Sequence, residues 1–97
     1  MREEIFKKIT TDMFDLWKRK NADYGSSVSD TYRDFGLVSF LVRMQDKMNR
    51  LKTLTKQESM VKDEKIEDTL IDLANYSILA LIELEMEKHD GNKSTNN

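Results

Sequence analysis

Residues 62–88, KDEKIEDTLIDLANYSILALIELEMEK, form the longest unbroken helical pattern in the chain and contain neither Gly nor Pro. At about 100° per residue, Ile66, Leu70, Leu73, Ala80, Leu81 and Leu84 fall on one face, which predicts a core-facing stripe. Glu64, Asp68, Asp72 and Asn75 make a row on the opposite face. The second half of the helix is apolar almost all round. Three carboxylates beside a buried surface are costly unless something cationic meets them. The rest of the chain must supply it.

Composition points the same way. With 97 residues the chain makes one small domain, assigned here to 1–88, followed by a polar tail at 89–97. Proline is absent and there are only 3 glycines, so the chain has little turn chemistry for a β-fold and reads as all-α. The lack of cysteine excludes disulfides and thiolate metal sites, and fits a reducing cytoplasm. The N-terminal MREEIFKK has no long apolar core and does not read as a secretory signal. The run from Leu73 to Leu84 is broken by Asn75, Tyr76 and Ser77 and is too short to span a bilayer, so no membrane partner is expected. A net charge of −2, with interleaved acids and bases, argues against direct nucleic-acid binding.

Two further helices are expected. The first runs from about Arg2 to Lys20, with Ile5, Phe6, Ile9, Met13, Leu16 and Trp17 as its core stripe and Phe14 off it. KNADYGSSVSD, residues 20–30, is then the densest cluster of turn residues, either a connector or a binding loop. Ser29 or Asp30 is a candidate cap for a short helical segment that Gly36 closes. The second long helix follows Gly36 and reaches about Leu54, with Leu37, Phe40, Leu41, Met44, Met48 and Leu51 inward. Residues 55–62 connect to the third, for which Asp63 is the natural N-cap. From His89 onward the sequence is polar and aperiodic, and is read as disordered. Three main helices pack as a small antiparallel bundle. Tyr76, Leu79, Ile82, Phe14 and Val42 lie off the stripes, a surplus that a homodimer or larger assembly would bury to complete the core.

The second long helix carries Ser39, Arg43, Asp46 and Arg50 in one row, with Lys47 at its edge. Arg43–Asp46 and Asp46–Arg50 have the spacing of intrahelical ion pairs on a solvated face. A second reading lets Arg43 or Arg50 pair with Asp68 or Asp72 across helices. A third gathers Glu64, Asp68 and Asp72, with Asp46 nearby, as hard oxygen ligands for Mg²⁺, the basic row taking phosphate. Periodicity alone leaves these open.

KNADYG, RMQDKMNRLKTL and VKDEKIEDTLIDLANYSILALIEL, in that order, resemble the first-type nucleotide modification associated domain, a family found largely in phages and prophages. The resemblance covers about Lys20 to Leu84. More distantly, the layout is similar to the MazG-like all-α nucleoside triphosphate pyrophosphohydrolases, which hold Mg²⁺ on Glu-x-x-Glu and Glu-x-x-Asp motifs. Here the second long helix has Arg43, Lys47 and Arg50 where a second acid is wanted, and Thr69 stands in place of a Glu three residues before Asp72. The resemblance implies a cytoplasmic protein, in the host cytoplasm if phage-encoded, whose partner is a nucleotide or nucleoside triphosphate. As an enzyme it would use Asp46, Asp68 and Asp72, with Mg²⁺ on Glu64, Asp68 and Asp72, to release pyrophosphate. Arg43, Lys47 and Arg50 would take the phosphates; Lys20, Asn21, Asp23 and Tyr24, with Asn75, would complete the substrate site, Tyr24 stacking on the base. The alternative is a non-catalytic nucleotide-binding or sequestering, anti-defence protein that uses the basic row and loop without a catalytic metal. A purely structural helical oligomer is the third reading.

Overall fold

The computed structural model describes the backbone over residues 1–24, 26–56 and 61–95, and side chains over 1–21, 26–56 and 65–90. Its four helices are α1 (Arg2–Tyr24), α2 (Ser27–Phe35), α3 (Val38–Leu54) and α4 (Val61–Thr95), and no strand occurs among the described residues. The all-α class holds, and α2 is the short helical segment expected before Gly36 beside the three main helices.

Helix boundaries differ where local composition is a weak guide. α1 runs one turn beyond Lys20 and ends at Tyr24, just before Gly25. α2 starts at Ser27, ahead of both proposed caps. Ser29 and Asp30 therefore lie inside it, where Ser29 bonds across to α4 and Asp30 pairs with Arg33 at 2.9 Å. The turn after α2 belongs to Gly36, at φ 71° and ψ −158°, a region that L-residues avoid. Its N–H donates to Tyr32 O at 2.6 Å and closes the helix. Asp63, read as an N-cap, lies within the first turn of α4, since the helix begins at Val61. No proline interrupts α4, and its backbone continues through Thr95, into the segment read as a disordered tail.

Tyr32, Phe40 and Ala80 form the core, with Val28, Met44, Tyr76 and Leu79 packed against it. The core thus unites α2, α3 and α4. α3 and α4 are antiparallel, because Phe40 packs at the level of Ala80 while Lys47 meets Asp72. α2 runs the same way as the second half of α4: Ser29 Oγ–H donates to Glu83 at 2.6 Å and Tyr32 O–H to Glu87 at 2.8 Å. These two part-buried bonds dock the short helix on the long one. The Tyr32 phenol is raised above its ordinary value, first by its bond to Glu87, then by burial and the nearby carboxylate charges.

The predicted stripe on α4 is corrected in part, for Ala80 is buried and Ile66 and Leu73 are half-buried. Leu81 is 65 % exposed, and Leu70 and Leu84 are also open to solvent. The packed face is instead the one with Thr69, Asp72, Tyr76, Leu79, Ala80 and Glu83, rotated by about a quarter turn toward the acidic row. Periodicity misleads here because a helix apolar nearly all round has no unique apolar direction. Polar anchors decide the rotation: Lys47 to Asp72, Ser29 to Glu83 and Tyr32 to Glu87. Tyr76 and Leu79, read as surplus for a partner, face the chain's own core, whereas Ile82, Phe14 and Val42 stay exposed.

α3 rotates similarly. Phe40 is 3 % exposed and Met44 packs inward, but Leu37, Leu41 and Met48 face solvent. On α1 the stripe fails at its N-terminal half, where Phe6 is 71 % exposed and Ile5 and Ile9 are open, while Met13, Leu16 and Trp17 are half-buried. Among the described residues the core joins α2, α3 and α4, with Met13, Leu16 and Trp17 of α1 half-buried, and the expected three-helix bundle is not confirmed. The radius of gyration is 16.3 Å, against about 12.5 Å for a compact chain of this length.

Candidate functional site

The α3–α4 pair has two unlike sides. In an antiparallel pair, residues displaced in the same rotational sense from the contact line emerge on the same side. Leu37, just before α3, and Leu41 and Met48 within it thus share a side with Leu70, Leu81 and Leu84 of α4, and all six are exposed. Arg43, Lys47 and Arg50 share the other side with Asp72 and Asn75.

That polar side opens as a cleft of about 430 Å³. Lys20 enters from α1, Ser27 and Thr31 from α2, Ser39, Arg43 and Lys47 from α3, and Asp72, Asn75 and Tyr76 from α4. The expected set of Lys20, Arg43, Lys47, Asp72 and Asn75 is therefore brought together. Phe40 and Leu79 make the floor, so the cations stand beside apolar wall, where charge interactions are less screened than in open water. Lys47 Nζ sits 2.8 Å from Asp72 Oδ2, a half-buried ion pair spanning the two helices. Arg43 makes no ion pair or hydrogen bond among the described residues and keeps its donors for a guest.

The remaining expected residues divide. Arg50 and Asp46 line an adjoining groove that shares Arg43, Lys47 and Tyr76 with the cleft. Neither predicted intrahelical pair of Asp46 forms among the described residues, and the cross-helix pair uses Lys47 rather than Arg43 or Arg50. The shorter route decides this: α3 is turned so that Lys47 lies at the contact line and the arginines beyond it. Asn21 lines a second, smaller cavity next to the cleft. Asp68 is exposed and lines neither the cleft nor the groove. The side chains of Asp23, Tyr24 and Glu64 lie outside the described residues.

Among the described side chains the expected carboxylates are not gathered at one point, and Glu64 lies outside those described. Among the described residues no group of three or more His, Cys, Asp or Glu side chains could hold an ion. Of the expected Mg²⁺ ligands, Asp72 is engaged by Lys47 and Asp68 points to solvent. Thr69, at the position of the missing acid, is 2 % exposed and its hydroxyl donates to Lys65 O at 2.6 Å. A glutamate there would bury a carboxylate where the threonine hydroxyl is satisfied by its own helix. Sequence reading missed Thr31, Ser39 and Tyr76 as cleft residues, since small hydroxyls on helices carry no signal and Tyr76 counted as surplus.

An all-α chain with a cation-lined cleft between antiparallel helices is the class that fold and site define. Residues 20–84, more than half of the chain, match the family described as nucleotide modification associated domain 1, and the chain belongs to that family. The match begins at Lys20 and takes in every residue that lines the cleft, while the exposed first half of α1 lies outside it. No curated protein and no solved structure matches the chain.

Proposed function

We propose that the chain binds a nucleotide by its phosphates in the α1–α3–α4 cleft and holds it without hydrolysis. One observation carries this reading. Lys20, Arg43 and Lys47 converge on the cleft against a single carboxylate, Asp72, which Lys47 already neutralises. Arg43 offers a planar fork suited to a phosphate, and the lysines add point charge. Ser27, Thr31, Ser39 and Asn75 supply neutral donors around them. Membership of a family associated with nucleotide modification supports a nucleotide over other anions. Mg²⁺ enters only as the counter-ion a polyphosphate brings, held by the phosphate oxygens.

The hydrolase reading, of the MazG-like kind, retains one favouring observation: Asp72 in the cleft and Asp46 in the adjoining groove come from facing helices. A calorimetric panel of nucleotides with and without Mg²⁺, followed by product analysis, separates the two. Stoichiometric binding with the nucleotide recovered intact supports the sequestering protein. Pyrophosphate release supports the enzyme. Failure of every nucleotide to bind or raise the melting temperature leaves a structural oligomer.

We also propose that two copies pair through the apolar side of α3–α4. Leu37, Leu41, Met48, Leu70, Leu81 and Leu84 share that side and each is more than a third exposed, a clustered apolar surface of the kind that marks an interface. Pairing two antiparallel hairpins would build a four-helix bundle, leaving both clefts outward.

A further inference from the structure

We propose that the smaller cavity beside the cleft is a base pocket and that the guest is a guanine nucleotide with at least two phosphates; this rests on the phosphate reading above. The cavity, of about 250 Å³, lies between α1, α2 and α4 and shares Lys20, Val28, Asn75 and Leu79 with the cleft. A guest can therefore occupy both spaces at once. Trp17, Ile82 and Met86 supply apolar wall, the kind of surface on which a base stacks.

Its polar groups differ from those of the cleft. Glu83 lines it, and one of its oxygens accepts the Ser29 hydroxyl at 2.6 Å. That bond orients the carboxylate and leaves acceptor capacity unused. An ionised carboxylate accepts only, so it selects a base edge that presents donors. Guanine sets N1–H and the N2 amino group side by side. Adenine and cytosine each place one amino group beside an acceptor nitrogen, which a carboxylate repels. Trp17 offers its ring to the same cavity, while its indole N–H is closed off from solvent and takes no part in reading the base.

Spacing sets the phosphate count. Asp72, which marks the position of Lys47, and Glu83 are eleven residues apart on α4, about 16 Å along its axis. An extended nucleoside di- or triphosphate bridges such a distance, and a nucleoside does not. Lys20 and Asn75, common to both spaces, fall where the sugar and first phosphate would lie.

The full chain should be titrated with GTP, ATP, CTP and inorganic tripolyphosphate by calorimetry, following tryptophan emission in parallel. Trp17 is the only tryptophan. GTP is expected to bind about tenfold or more tighter than ATP or CTP, and to change Trp17 emission where tripolyphosphate does not. Glu83→Gln, which keeps an oxygen for Ser29, should bring the GTP-to-ATP ratio toward one. Equal affinity for the three nucleotides, with tripolyphosphate bound, overturns the base pocket and leaves the phosphate cleft standing. A preference for ATP or CTP, or GTP binding with silent Trp17, also overturns it. If none of the four binds, both readings fall. The emission readout needs no variant, so a misfolded Glu83→Gln would not protect the proposal.

Discussion

Lys47 and Asp72 meet at 2.8 Å in the middle of the cleft, and their neighbours decide what that pair is for. With Arg43 beside them and without a partner among the described residues, a bound phosphate would compete with Asp72 for Lys47. Asp72→Asn should therefore leave nucleotide affinity unchanged or tighten it, whereas a metal-dependent hydrolase would lose its reaction. Arg43→Ala should weaken binding by about 1.5–3 kcal/mol, roughly ten- to a hundredfold, as expected for a lost charge-assisted hydrogen bond. Calorimetry on the two variants checks both. Stability rests on other residues. Phe40 is 3 % exposed between Tyr32 and α4, so Phe40→Ala should cost about 3–5 kcal/mol, enough to unfold a small domain. Thr69→Val keeps the shape and loses a hydroxyl bonded only to its own helix, so it should fall within about 1 kcal/mol of the parent. Urea unfolding of both variants would show the contrast.

At the scale of elements, α2 is the part whose position depends on titratable contacts. Its nine residues cannot make a stable helix alone, and its two hydroxyl-to-carboxylate bonds tie it to α4. The raised Tyr32 phenol sets the sign of the alkaline response. Folded Tyr32 holds its proton to higher pH than unfolded Tyr32, so its contribution is complete below the ordinary phenol value. It is lost as pH climbs through the folded one. Melting temperatures taken from pH 8 upward should fall on the alkaline side. Tyr32→Phe should start lower, having lost the bond to Glu87, and fall less steeply. An identical alkaline slope in the two proteins would show that Tyr32 is not the group responsible. α1 is the opposite case. Its Phe14–Trp17 stack, at 6.2 Å between ring centres, and the Lys18 ammonium 4.6 Å from the Phe14 ring are contacts within one helix.

At the scale of the molecule, the two-sided α3–α4 pair separates assembly from binding. Leu41 and Leu81 are half-exposed or more in the single chain, so replacing both with Glu should spare the α2–α3–α4 core and prevent pairing. Sedimentation should give twice 11.4 kDa for the parent and 11.4 kDa for the double variant, with nucleotide affinity retained. A parent that sediments as a monomer at micromolar concentration would remove the pairing proposal. Among the described residues no helix is long and apolar enough to cross a membrane.

The long stretch at 62–88 shows where sequence stops being sufficient. By itself the chain determined its helices, since lack of proline, scarce glycine and 3.6-residue periodicity are local properties that each segment carries alone. It also put Arg43 with Lys47 and Asp72 with Asn75 on shared helix faces, four of the residues that line the cleft, because such sharing holds whatever the helices pack against. Only the tertiary structure decided which way α4 turns. Apolar residues surround that helix, so its burial energy barely depends on rotation, and three side-chain bonds from α2 and α3 break the tie. The same rotation placed Tyr76 in the core, left Leu81 in solvent, paired Asp72 with a lysine instead of gathering it with other acids, and opened the cavity at Glu83.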